Sequence, residues 1–210
     1  QNAAIAAVVR LESGLGIRHG WVPCAGPFVA TRTSHTIIME LNWENAFDVY
    51  QRAVAEVSGR KLTRDNFFAV AKAFPFGMLK EGAEDIVRDP IAVNNRGELV
   101  CVGEIPENAV LTMLRGDETK LLDAAAKTVG DCLEHAAGKD VQACLLFDCI
   151  SRALFLRDFP AELRILQAGL PSAMNGKPLE GALTLGEISS HGQKYLEFMN
   201  KTVVLGVLFR

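Results

Sequence analysis

Two groups of residues in the second half of the chain have the types and spacing of a site. The first is Cys149 and Arg152, just beyond the apolar run Val141 to Phe147 (VQACLLF). A short continuous apolar run predicts a buried central strand. In sheets flanked by helices, ligands gather beyond the carboxyl ends of such strands, where following helices point their N-termini. A thiol there, beside an arginine, would have a lowered pKa and could be nucleophilic or redox-active. The same residues also fit a ligand-lining polar cluster. They equally fit plain structure, with Cys149 buried and Arg152 paired with Glu162 across two adjacent helices. The second group is Glu187 and Asn200. Gly181 and Gly186 lie in a weak strand pattern around Ala182 to Leu185, where glycine marks a bulge or a close backbone approach. Ile188 to Gly192 reads as a loop. Thr202 to Phe209 (TVVLGVLF) reads as a strand buried on both faces. The acid and the amide thus flank a loop between two strands, which suits a ligand mouth, although spacing alone favours a plain tied-down loop.

A binding pocket needs an apolar cavity and a few fixed polar groups. Arg152, with Arg88, could grip a carboxylate bidentately. Glu187 could accept from an amine, and Asn200 could serve either partner, a set that suits an amino acid or similar zwitterion. Catalysis asks for more. A cysteine enzyme using Cys149 needs a base beside the thiol and a group to orient it. Of His19, His35, His135 and His191, only His191 lies in a loop near the other motif residues, and nothing in the sequence brings it to Cys149. A serine nucleophile elbow, a Walker loop and a dinucleotide fingerprint are absent. Cys132 and His135 lack the second pair that a zinc site requires. No cofactor and no metal is expected. Ligand binding is the expected function; a Cys149 enzyme and a non-catalytic interaction scaffold are the alternatives.

Several of these residues also carry a resemblance. Gly181, Gly186-Glu187 and Asn200-Lys201-Thr202 resemble the C-terminal half of the FIST family, intracellular ligand-sensing modules of signalling proteins. Phe147 to Arg152 (FDCISR) is similar to the family's strand-ending Cys followed three residues later by Arg. Glu162 stands where the family tends to carry an acid, and Arg88 where it commonly has an Arg before a meander. The resemblance covers roughly residues 16 to 208. It implies a cytoplasmic sensory domain that binds a small molecule, with an amino acid as the proposed ligand class, and Cys149, Arg152, Glu187, Asn200 and Arg88 at the ligand. The implied partners are that ligand, a signalling output domain or protein, and a second copy in a homodimer. It further implies that residues 1–41 hold the end of a preceding N-type half with connecting strands, and 42–210 the C-type domain.

The chain as a whole sets the limits. Its 210 residues can bury a substantial core. A net charge of −3 with scattered basic residues argues against a nucleic-acid or anionic-membrane surface. No window reaches the ~18 apolar residues of a membrane-spanning helix. The N-terminus has neither a basic region nor a Met, so no signal peptide is expected, and the start at Gln1 suggests a fragment of a longer chain. Five cysteines, an odd number without a CxxC pair, point to free thiols in a reducing compartment.

The elements that must position the site follow from periodicity and caps. Ala3 to Leu11 reads as a strand broken by Ser13 to Gly16. Phe28 to Thr33 and Thr36 to Leu41 read as a hairpin around Ser34-His35. A helix capped by Asn42 runs to about Val57, with Gly59 past its end. Thr63 caps a shorter helix through about Ala71, with Phe67, Phe68 and Ala71 inward. A meander spans Ala83 to Gly116, turning at Asn94 to Gly97. Asp117 opens a long helix to about Ala137, with Leu121, Ala125, Val129 and Cys132 in its buried stripe. A short helix begins at Ser151, another runs from Pro160 to Gly169, and Pro171 to Pro178 is a linker. The expected fold is α+β, a mixed, mainly antiparallel sheet with packed helices.

Overall fold

The computed structural model describes residues 6–80, 84–170, 179–190 and 196–210. The Pro171–Pro178 linker, His191, Gly192 and the first three residues of the expected strand at Ala3 lie outside the described residues. The fold is α+β, with mainly antiparallel strands and five helices, as the sequence predicts.

The smaller sheet has the order β1-β14-β10-β11. It is built from β1 (Glu12–Arg18), β10 (Val141–Cys149), β11 (Leu179–Thr184) and β14 (Val203–Phe209). Strand β14 runs antiparallel to both β1 and β10, while β10 and β11 are parallel. One face packs on α3 (Glu118–Ala136) and α5 (Phe159–Gly169) through Ala125, Val129, Cys132, Leu146, Leu166 and Leu205. Asp117 and Asp158 cap these helices by accepting from the backbone N–H groups of Lys120 and Ala161, both at 3.1 Å. Strand β10 alternates. Cys144, Leu146 and Asp148 face the helices, whereas Leu145 and Phe147 point to the other, open face, so this central strand is covered on one side only.

The expected strand at Ala3–Leu11 is displaced. Residues 6–11 are not in a strand, and β1 occupies the stretch assigned as a break. The glycines are the reason. A Cβ at Gly16 would lie 2.0 Å from the Thr128 carbonyl oxygen, so glycine here lets the strand meet the backbone of α3.

The larger sheet has the order β2-β9-β6-β7-β8-β4-β3, with β5 beside β4. Its strands are β2 (Val22–Val29), β3 (Arg32–Ser34), β4 (Ile37–Leu41), β5 (Glu44–Asn45), β6 (Phe76–Met78), β7 (Ile86–Val93), β8 (Leu99–Val102) and β9 (Val110–Arg115). Helices α1 (Ala46–Ser58) and α2 (Phe67–Ala71) belong to its core through Phe47, Tyr50, Val54, Phe67 and Val70. The cap of α1 is Asn45 rather than Asn42, which sits at positive φ in the preceding turn. Helix α2 starts after Asn66, which exchanges hydrogen bonds with Thr63, and Phe68 faces solvent.

Trp21, Val87, Leu114, Leu121 and Leu156 form a smaller cluster that brings together side chains from both sheets' surroundings. A two-stranded ribbon, β12 (Glu187–Ser189) with β13 (Glu197–Met199), stands where the sequence predicts only a loop. The remaining helix, α4 (Ile150–Ala153), follows β10 directly.

Candidate ligand site

The carboxyl end of β10 collects buried charge. Arg152, on α4, is fully buried. Its Nε donates to Glu162 Oε1 at 2.7 Å, Nη1 to the His19 carbonyl at 2.5 Å, and Nη2 to the Leu121 carbonyl at 2.6 Å. Nη2 also lies 2.6 Å from Glu162 Oε1. Every guanidinium nitrogen is therefore engaged inside the protein, and the pairing with Glu162 is the one the sequence offers as plain structure. Asp148, near the end of β10, four residues before Arg152 and 3.9 Å from its Nε, is also buried. The Asp148 and Glu162 carboxyls share a hydrogen bond, and beyond it neither Asp148 oxygen nor Glu162 Oε2 has a partner. Burial first, then the charge of Glu162, pushes Asp148 up to about 8.

Glu187, at the start of β12, is the second hub. Its Oε1 accepts from the Thr184 hydroxyl and its Oε2 from the Thr202 hydroxyl, each at 2.6 Å, with the Thr202 N–H at 3.4 Å. Burial raises its pKa, and these hydrogen bonds oppose the rise. Cys149 shares this neighbourhood: its backbone N–H donates to the Thr202 carbonyl, and its thiol is hydrogen-bonded to Glu187. The expected lowering of the Cys149 pKa is not found. Burial, with Glu187 adding negative charge, pushes the thiol up to about 11, and the four-residue α4 is too short to offset that. Asn200 is 1% exposed, and neither its amide oxygen nor its nitrogen has a partner. Arg88 lies apart on β7. It donates to the carbonyls of Val87, Glu104 and Phe198 at 2.8–3.1 Å, which ties the larger sheet to the ribbon.

Sequence reasoning missed a third buried group. Lys201 Nζ donates to Ser151 Oγ at 2.8 Å and to the Lys72 carbonyl at 2.9 Å, and lies 3.2 Å from Asp89 Oδ1. It also stands 4.6 Å from the centre of the Trp21 ring. The signal was present: Lys201 and Asp148 are single charges beside apolar runs, and a buried charge must be paired or neutralised.

A groove of about 230 Å³ opens beside this end of β10, between α5 and β11. Leu146, Phe159, Leu163 and Leu183 supply apolar walls, and Asp148 and Gln167 are among its polar lining. Two wider recesses, of about 490 and 610 Å³, contain none of the buried charged side chains. Among the described residues, no group of three or more His, Cys, Asp and Glu could hold a metal ion, and no helix is long and apolar enough to cross a membrane.

The α+β fold thus carries an apolar groove beside buried acids and an unpartnered amide. The family model of the FIST C domain matches residues 46–190. The chain belongs to this family, whose members are sensory domains associated with signal transduction. No curated protein and no solved structure matches the chain.

Proposed function

We propose that this domain senses a small molecule at the carboxyl end of β10 and passes its bound state to a signalling partner or output domain in the cytoplasm. The observation that carries the reading is the grouping of buried, unpartnered polar atoms. Among the described residues, they are both amide atoms of Asn200 and, apart from the hydrogen bond their carboxyls share, the oxygens of Asp148 and Glu162 Oε2. Buried polar groups are normally satisfied, so such a group of orphans supports a recognition surface. Asn200, Glu187 and Cys149 would contact or border the ligand, whereas Arg152 and Arg88 would position the walls, since their donors are already engaged.

Transmission requires two conformations that bind ligand unequally. The ribbon β12–β13 is the candidate moving part. Glu187 fastens it to Thr184 and Thr202, and Arg88 fastens it to the larger sheet. A ligand that draws on Glu187 or Asn200 would shift both attachments together.

A thermal-shift screen of amino acids, amines, small carboxylates and nucleotides tests the reading, with Asn200→Ala alongside. A ligand at about 100 times its Kd adds roughly 2.7 kcal/mol, which should raise the midpoint by several degrees. A shift lost in the variant is the expected result. A flat panel with a concentration-dependent mass would favour a homodimeric scaffold instead. The cysteine-enzyme alternative is checked by alkylation at neutral pH: Cys149 should stay unmodified in the native chain and react once it is unfolded.

A further inference from the structure

We infer that the groove between α5 and β11 takes a small molecule with a short apolar body and a cationic amine, whose ammonium meets the Asp148 carboxyl. The inference rests on the ligand-sensing reading, gives it a chemical class and centres the ligand on Asp148, in a groove whose lining includes none of Cys149, Glu187 and Asn200. The groove's volume of about 230 Å³ falls below the roughly 300 Å³ at which drug-sized pockets begin, so the body is short. Leu146, Phe159, Leu163 and Leu183 would enclose it. The polar lining consists of Asp148, Gln167 and Glu180, with no lysine or arginine among the described lining residues.

Charge decides the other end of the ligand. The groups that face Asp148 are Glu162 from α5, Arg152 from α4 and Glu187 from β12, two acids against one cation. That cation is fully engaged by Glu162 and by the carbonyls of His19 and Leu121. An incoming carboxylate would therefore meet the buried acids around Asp148 and no free cation. An ammonium would instead meet the Asp148 carboxyl, which lines the groove and whose one hydrogen bond is the one it shares with Glu162, and it has three N–H groups to offer.

The proton balance follows. Asp148, pushed up to about 8 by burial and by Glu162, is protonated at neutral pH. When the ammonium docks, Asp148 releases its proton to solvent and becomes the carboxylate that pairs with it, while the ammonium keeps all of its own protons. Below about pH 8, binding should thus release up to one proton and strengthen about tenfold per pH unit.

Calorimetric titration of the chain with hexylamine, hexanoate and norleucine tests the inference, using buffers of different ionisation heat to count protons. Hexylamine should bind, tighten from about pH 6 to about pH 8 and level off above. Asp148→Asn copies the shape of the protonated acid and should weaken hexylamine binding by about tenfold or more. Leu163→Trp, which fills the groove, should also abolish it. Hexylamine binding that ignores both variants, or shows no pH dependence, would overturn the assignment. Binding of hexanoate or norleucine with hexylamine silent would overturn the amine class yet leave ligand sensing standing. Silence of all three, together with a flat screen, would remove both.

Discussion

Arg152 has no exposed surface, and each of its nitrogens is held by Glu162 or by a backbone carbonyl. Its removal would leave Glu162 buried and unanswered beside Asp148. Arg152→Ala should therefore cost about 3–5 kcal/mol in a denaturant titration, and Arg152→Lys should recover only part, because a single ammonium cannot reach all these acceptors. An unchanged midpoint would show instead that the arginine is a free ligand arm. Asp148 sets a pH dependence. Its folded pKa is raised from 3.8 to about 8, so the folded chain binds more protons than the unfolded one between those values. Its contribution to stability is complete below about pH 4, declines as pH rises, and is gone above about pH 8. The stability of wild type relative to Asp148→Asn should fall over that window; a rising or level difference would contradict the assignment. Much at this scale was legible. The ten-residue spacing of Arg152 and Glu162 already offered their pairing, and Glu187 was singled out by its place after Gly186. The state of Cys149 was not legible, because a thiol's pKa depends on how deeply it is buried, and spacing does not encode depth.

Helices α3 and α5 and the end of α1 were read nearly to the residue, whereas the start of α1 was placed three residues early. Helices α3 and α5 begin after Asp117 and Asp158, and α1 ends at Gly59 in the left-handed region. Strand β14 was clear because its apolar run is unbroken. The displaced first strand has a tertiary cause, in that packing overrode a local signal. Gly14 and Gly16 look like breakers, yet they are the residues that let β1 lie on α3. Gly16→Ala would place a methyl 2.0 Å from the Thr128 carbonyl oxygen. Overpacking of this kind costs about 1–3 kcal/mol. Thermal melts should show the loss, and a neutral effect would mean that β1 and α3 can separate freely. The ribbon β12–β13 was invisible for a different reason: each strand has three residues, too few for alternation to show.

The molecule has a core on each of its two larger sheets, and the cluster around Trp21 lies between them. Arg88 adds a polar tie through the Phe198 carbonyl. Arg88→Ala should leave the two cores intact but free the ribbon. Hydrogen bonds to a charged group are worth about 1.5–3 kcal/mol, so amide exchange in β12 and β13 should speed up by about tenfold or more. Exchange unchanged there would mean that the ribbon is held by other contacts. The surroundings of Trp21 carry one more consequence. The chain has two tryptophans: Trp43 is 79% exposed, whereas Trp21 is buried with its indole N–H donating to the Lys201 carbonyl and an ammonium over its face. With Trp43 replaced by phenylalanine, the intrinsic fluorescence would come from a single emitter seated between the two cores. Its wavelength would then follow the Lys201–Asp89 charge pair, giving an optical readout of that joint without any added dye.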